Sequence, residues 1–286
     1  MSNSTLDFLR DTLQTAIHAG DVIPCIGPVA LADVHHRDSG AKIPASSDEL
    51  ILAMNNGQPM SPRLMYEFPR AAMHVELKSG RNKVNKFLTD TYGPDVWSTA
   101  AMHEWLFAIQ PPLIIDMNRD TGLQKLYAHT PHTLIVGVAR IGGTQFRFKL
   151  FKHDGTSYTE VDQSGIDPSA PVLFKPLGTP LPQAHYIASD ADFVDYITEL
   201  MGGFAIPDFL KTYRQGKRYA LLGFELARDT ERMILSDLMY AGNGGWALMQ
   251  VEPSKRALQF CSRHALEAVR IDDPAELYGN ALLTAA

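Results

Sequence analysis

Cysteine is scarce: the 286 residues include only two, Cys25 and Cys261. They lie far apart among apolar neighbours, which excludes a disulfide scaffold and suits two buried thiols in a reducing compartment. An excess of positive charge is also missing, since 26 Lys and Arg stand against 32 Asp and Glu for a net charge of −6. That sign offers no footprint for a polyanion and argues against nucleic acid as a partner. No stretch approaches the roughly 20 continuous apolar residues of a membrane span. The first ten residues lack the basic start and apolar run of a signal peptide. A cytoplasmic protein with no membrane partner is the expectation. A Walker-type phosphate loop, a Ser/His/Asp elbow, internal repeats and low-complexity runs are all missing. There are ten histidines. His35-His36 and His129-Thr130-Pro131-His132 have no cysteine or carboxylate set at ligand spacing, so no metal site is expected.

What is present is an apolar content of 45% with 20% charged residues, enough to bury a substantial core. Leu6, Leu9, Leu13, Ala16 and Ile17 recur at helical spacing and stop at Gly20. Val22 to Ile26 follows as a short, continuously apolar strand of the kind that is buried on both faces. Ser46-Ser47-Asp48-Glu49 opens a capped helix, and helical periodicity runs on through Met65 to Lys78, Lys83 to Asp90 and Trp97 to Ile109. Pro111-Pro112 ends that block before the strand Leu113 to Ile115. From Thr133 to Val161 the pattern changes to three β segments, 134–139, 145–151 and 156–161, separated by Gly142-Gly143 and His153-Asp154-Gly155. Those turn signals predict an antiparallel meander.

The last third alternates strands at Val172 to Lys175, Arg218 to Phe224, Trp246 to Gln250 and Ala268 to Ile271 with helices at Ser189 to Met201, Thr230 to Met239, Lys255 to His264 and Pro274 to Leu283. In outline this is an α/β fold with a doubly wound, mainly parallel, Rossmann-like sheet. One domain over 1–286 is expected, with a helical insertion at 61–109 and a β insertion at 133–161. The meander cannot readily cover both its edges within one domain, which points to a protein partner or a homo-oligomer.

Four segments carry the chemistry. Ile26-Gly27-Pro28-Val29 closes the first strand and leads to Ile43-Pro44-Ala45-Ser46-Ser47-Asp48-Glu49-Leu50. Asp116-Met117-Asn118-Arg119-Asp120 closes the second. Lys175-Pro176-Leu177-Gly178 ends the third, and Leu222-Gly223-Phe224-Glu225-Leu226 the fourth, with Arg232 in the helix beyond. In that order and at those separations the chain resembles the sirtuin-like superfamily, mainly its prokaryotic branch of NAD-consuming defence proteins.

The resemblance implies a Gly-Ala-Gly turn at Gly27 that approaches the NAD pyrophosphate. It implies an Asn and Asp near the nicotinamide and its ribose at Asn118 and Asp120, and a Lys-Leu-His-Gly segment whose histidine serves the ribose and the chemistry. Gly27, Asn118, Gly178, Gly223 and Phe224 are then the cofactor-binding set, and Asn118 and Asp120 the catalytic one. The chain departs from the pattern at telling places. Pro28 removes an amide donor, Leu177 stands in place of the histidine, and Glu225 puts a carboxylate near the expected phosphate path. Losing a positioned acid or base removes about 10² to 10⁴ of rate. His153 and His185 flank that segment in sequence, and either could fold back to replace the missing histidine. The expectation is a catalytically impaired or inactive protein that binds NAD or ADP-ribose, or that acts as a protein-interaction module, without zinc. The alternative is an active NAD hydrolase using Asn118 and Asp120. The residues themselves also admit plainer roles: Gly27 as a turn glycine, Asn118 and Asp120 as caps of the following helix, and Gly223 and Phe224 as a strand end and core aromatic.

Overall fold

The computed structural model describes residues 3–141, 145–272 and 277. The chain opens with α1 (Asn3–His18), β1 (Val22–Ile26) and a 3₁₀ turn (Pro28–Leu31). A run of helices follows: α2 (Ser47–Met54), α3 (Pro62–Met65), α4 (Phe68–Ser79), α5 (Arg81–Tyr92) and α6 (Ala101–Ile109). Next come β2 (Leu113–Asp116), α7 (Gly122–Leu126), β3 (His132–Gly137), β4 (Phe148–His153), β5 (Tyr158–Val161), β6 (Val172–Lys175), β7 (Gly178–Thr179) and β8 (His185–Tyr186). The last part holds α8 (Asp190–Met201), α9 (Asp208–Tyr213), β9 (Arg218–Leu222), α10 (Asp229–Leu238), β10 (Gly245–Met249), α11 (Lys255–Arg263) and β11 (Leu266–Arg270). The expected closing helix and the Gly142-Gly143 turn fall outside the described residues, apart from Leu277.

Nine strands form one sheet in the order β11-β10-β9-β1-β2-β6-β3-β4-β5. From β11 to β3 every pairing is parallel, and β4 pairs antiparallel with both β3 and β5. The five strands expected to lie parallel together do so. Their continuous apolar runs follow from burial on both faces. Alternate residues divide between two cores. Cys25, Ile115, Phe174 and Leu221 pack against α8, α10 and α11, while Ile26, Ile114, Leu173 and Leu222 pack against α1, α6 and α7. The sheet is therefore covered by helices on both sides. Cys25 and Cys261 are free and buried, and burial pushes both thiols up.

Two boundaries differ from expectation. The β segment is not an appendage, because β3 pairs in parallel with β6 from Thr133↔Val172 to Val136↔Lys175 and so extends the main sheet. Its strands lie two or three residues from the predicted starts, since Leu134, Ile135 and Val136 are all fully buried and carry no alternation to set the register. The helical block also divides. The α2, α4 and α5 helices enclose a third core built on Ile51, Phe68, Ala72 and Leu88, whereas α6 places Met102, Trp105 and Leu106 on the sheet. It is the crossover helix into β2 and stands apart from the cap formed by α2, α4 and α5 around that third core. Among the described residues no helix is long and apolar enough to cross a membrane.

Candidate functional site

The carboxyl ends of four strands open on one crevice of about 410 Å³. Residues after β1 (Pro28, Val29), β2 (Met117, Asn118, Arg119), β6 (Leu177) and β9 (Phe224, Glu225) form one side of it. The starts of α2 and α4 form the other. Its size is that of a small-molecule pocket. It lies where β1 has β2 on one side and β9 on the other, the reversal point at which open α/β sheets bind ligands. The α2 wall is held by a capping box. Glu49 accepts from the amides of Ala45 and Ser46 at 3.1 and 2.8 Å, and the Ser46 hydroxyl accepts from Glu49 N at 3.3 Å.

The turn after β1 has no amide to offer an anion. Gly27 N donates to Leu222 O at 2.8 Å, Val29 N to Gly223 O at 3.0 Å and Ala30 N to Gly27 O at 3.1 Å, while Pro28 has none. A side chain on Gly27 would meet Gly223 O and the Phe224 ring at 2.6 Å. Gly27 is thus required for the close approach of the β1 and β9 turns. Gly223 adopts φ +72°, and a Cβ there would meet Ala30 N at 2.7 Å. These two glycines are each other's neighbours, with Phe224 buried between them and the crevice.

Asn118 is in the wall, 5% exposed. Its amide donates to Asp116 Oδ1 at 2.9 Å and its Nδ2 to Gly27 O at 3.0 Å, tying the ends of β1 and β2 together. Asp120 points the other way. Its Oδ2 accepts from Gly122 N at 2.7 Å and lies 3.9 Å from His103 Nδ1, and its Oδ1 lies 3.8 Å from Lys175 Nζ. Burial raises the Asp120 pKa, but Lys175 and then His103 outweigh it and leave it below the usual carboxylate range. Lys175 Nζ also donates to Asp116 Oδ2 at 2.5 Å and Asp120 O at 2.7 Å. His103, Asp116 and Asp120 are close enough to hold a metal ion, but the Lys175 ammonium already supplies the positive charge at that point.

Of the residues named from the sequence, Asn118 and Phe224 reach the crevice, and Gly27 and Gly223 shape the turns behind it. Asp120 and Gly178 do not line it. Gly178, at φ +86°, pairs with Tyr186, where a Cβ would lie 2.0 Å from His185 O. Leu177 does line it and presents no titratable group. Neither candidate replacement for the missing histidine is near. His153 stacks on His132 with centroids 4.7 Å apart, at the amino end of the β3–β6 pair. His185 faces a separate hollow with Arg81 and Arg140.

Arg119, Glu67, Glu231, Phe68 and Phe193 also line the crevice. Glu67 is buried and accepts from the Thr230 hydroxyl. Burial, helped by the neighbouring Glu225 carboxylate, pushes Glu231 up to about 7. The one signal for Arg119 was a charged residue in the middle of a segment already singled out. The others belong to helices whose packing partners are remote in sequence. Comparison with family models and with curated proteins gives no match for this chain.

Proposed function

We propose that this chain is a sirtuin-like, catalytically impaired protein whose crevice binds a small ligand of the nucleotide or nucleotide-fragment class and reports its presence. The observation that carries this reading is a well-formed crevice at the sheet's reversal point that keeps Asn118 but presents Leu177 where a base is needed. The consumed amides of Gly27, Val29 and Ala30 and the carboxylate of Glu225 weaken any grip on a pyrophosphate. An NAD hydrolase using Asn118 and Asp120 would need both side chains on the same side of their turn, and Asp120 faces Lys175 and His103 instead. Glu67 and Glu231 are suited to accept hydrogen bonds from ligand hydroxyls. A protein partner or second copy at the free β5 edge belongs to the same reading.

The test has two arms. Purified protein incubated with NAD should release no more nicotinamide than a protein-free blank, and robust release that disappears in Asn118→Ala would sink the impaired reading. Thermal unfolding with NAD, ADP-ribose and nicotinamide then asks whether the crevice is a ligand site. A ligand at 100 times its Kd adds about 2.7 kcal/mol of stability, a readily visible shift.

A further inference from the structure

Arg119 is 7% exposed and forms part of the crevice wall. Its Nη2 donates to Ile187 O, its guanidinium lies 5.5 Å from the centre of the Phe68 ring, and its Nε is buried without a hydrogen-bond partner. Among the described residues no carboxylate is within ion-pair distance of it. Asp192, whose charge acts on it, is already engaged by Arg81 and Arg140. Buried cations normally have an anion beside them, and this one has only a carbonyl and an aromatic face.

We infer that Arg119 is an anion-binding residue, and that the crevice takes a ligand bearing a single carboxylate on an apolar or aromatic body. The inference rests on the reading of the crevice as the ligand site. The apolar body follows from the lining, where Phe68 lies beside the guanidinium and Met117 and Leu177 share the same crevice. The single charge follows from the rest of the lining. It contributes five acidic side chains, of which Glu231 is held largely protonated up to about pH 7, against Lys42, Arg119 and Arg228. Lys42 is exposed and Arg228 is paired with Asp48 at 3.5 Å. A dianionic phosphate would gain one free cation and bring two negative charges against the surrounding carboxylates, whereas a carboxylate brings one and matches the guanidinium fork one to one.

Calorimetric titration with matched pairs tests this: nicotinate against nicotinamide and benzoate against benzamide, with phenyl phosphate and ADP-ribose in the same series. Each acid should bind at least about tenfold more tightly than its amide, and phenyl phosphate more weakly than benzoate. In Arg119→Gln the acids should fall to the level of the amides while the amides stay unchanged, which also shows that the variant is folded. Equal affinities for acid and amide, tighter binding of phenyl phosphate, or an acid preference that survives Arg119→Gln would each overturn the inference. Should Arg119→Gln not fold, Leu177→Trp fills the apolar wall and leaves the guanidinium in place. It must weaken acids and amides alike, and undiminished binding overturns the assignment. ADP-ribose binding without acid binding refutes the role of Arg119 and leaves the crevice reading standing. Binding of no compound refutes both.

Discussion

With its ammonium 2.5 Å from Asp116 and only 1% of its surface exposed, Lys175 neutralises carboxylates that have no access to water. Replacing it by Met should therefore remove about 3–5 kcal/mol of stability, read by urea unfolding, because Asp116 and Asp120 would be left buried without their cation. A loss below about 1 kcal/mol would show that His103 compensates. Glu231 gives a pH signature of opposite character. Its pKa is raised from 4.5 to about 7 in the folded chain, so the native state holds a proton that the unfolded state releases. Stability from this group is present below pH 4.5 and is lost as pH rises through 7. Glu231→Gln should match the parent at pH 4 and exceed it at pH 8 by about 1 kcal/mol, a figure reduced for partial exposure. Equal stability at both pH values would contradict the shift. Residues of this kind were the least legible in the sequence, since nothing local separates Glu231 on its helix from an ordinary solvated glutamate.

At the level of elements, the turns after β1 and β9 hold each other in place through Gly27 and Gly223, and Gly223 alone of the two has a left-handed backbone. Gly223→Ala combines a left-handed backbone with a 2.7 Å approach to Ala30 N, whereas Gly40 has φ +69° and open space around it. Gly40→Ala should cost about 1 kcal/mol from backbone strain alone, and Gly223→Ala clearly more, up to about 3 kcal/mol. Equal losses by thermal unfolding would mean that the two turns can separate freely. Elements were well legible where a local signal set them. The apolar runs of β1, β2, β6, β9 and β10 were bounded by Gly or Pro, and α2 announced itself through Ser46 and Glu49. The short β7–β8 pair was not foreseen, because two-residue strands have no periodicity to read.

On the scale of the whole molecule, β5 is the end of the sheet, and nearby Phe146 is 42% exposed and stacks on Phe148 with centroids 5.0 Å apart. An open edge beside exposed aromatics favours pairing between copies. Light scattering should show a mass above one chain at high concentration, reverting to the monomer in Phe146→Asp. A single-chain mass for both proteins at every concentration would remove the self-association proposal.

By itself the sequence determined the α/β class and the parallel strands, whose carboxyl ends border the crevice, because burial on both faces, capping and turn chemistry are written within each segment. Asn118 was found that way, since it directly follows a strand end. Tertiary structure alone decided that β3 joins β6, that α6 leaves the cap for the sheet and that Asp120 turns toward Lys175 while Arg119 turns to the crevice. The reason is physical: periodicity records that a residue is buried but not against what. A wall assembled from β1, β2, β6, β9, α2 and α4 acquires its charge balance only when those distant segments meet.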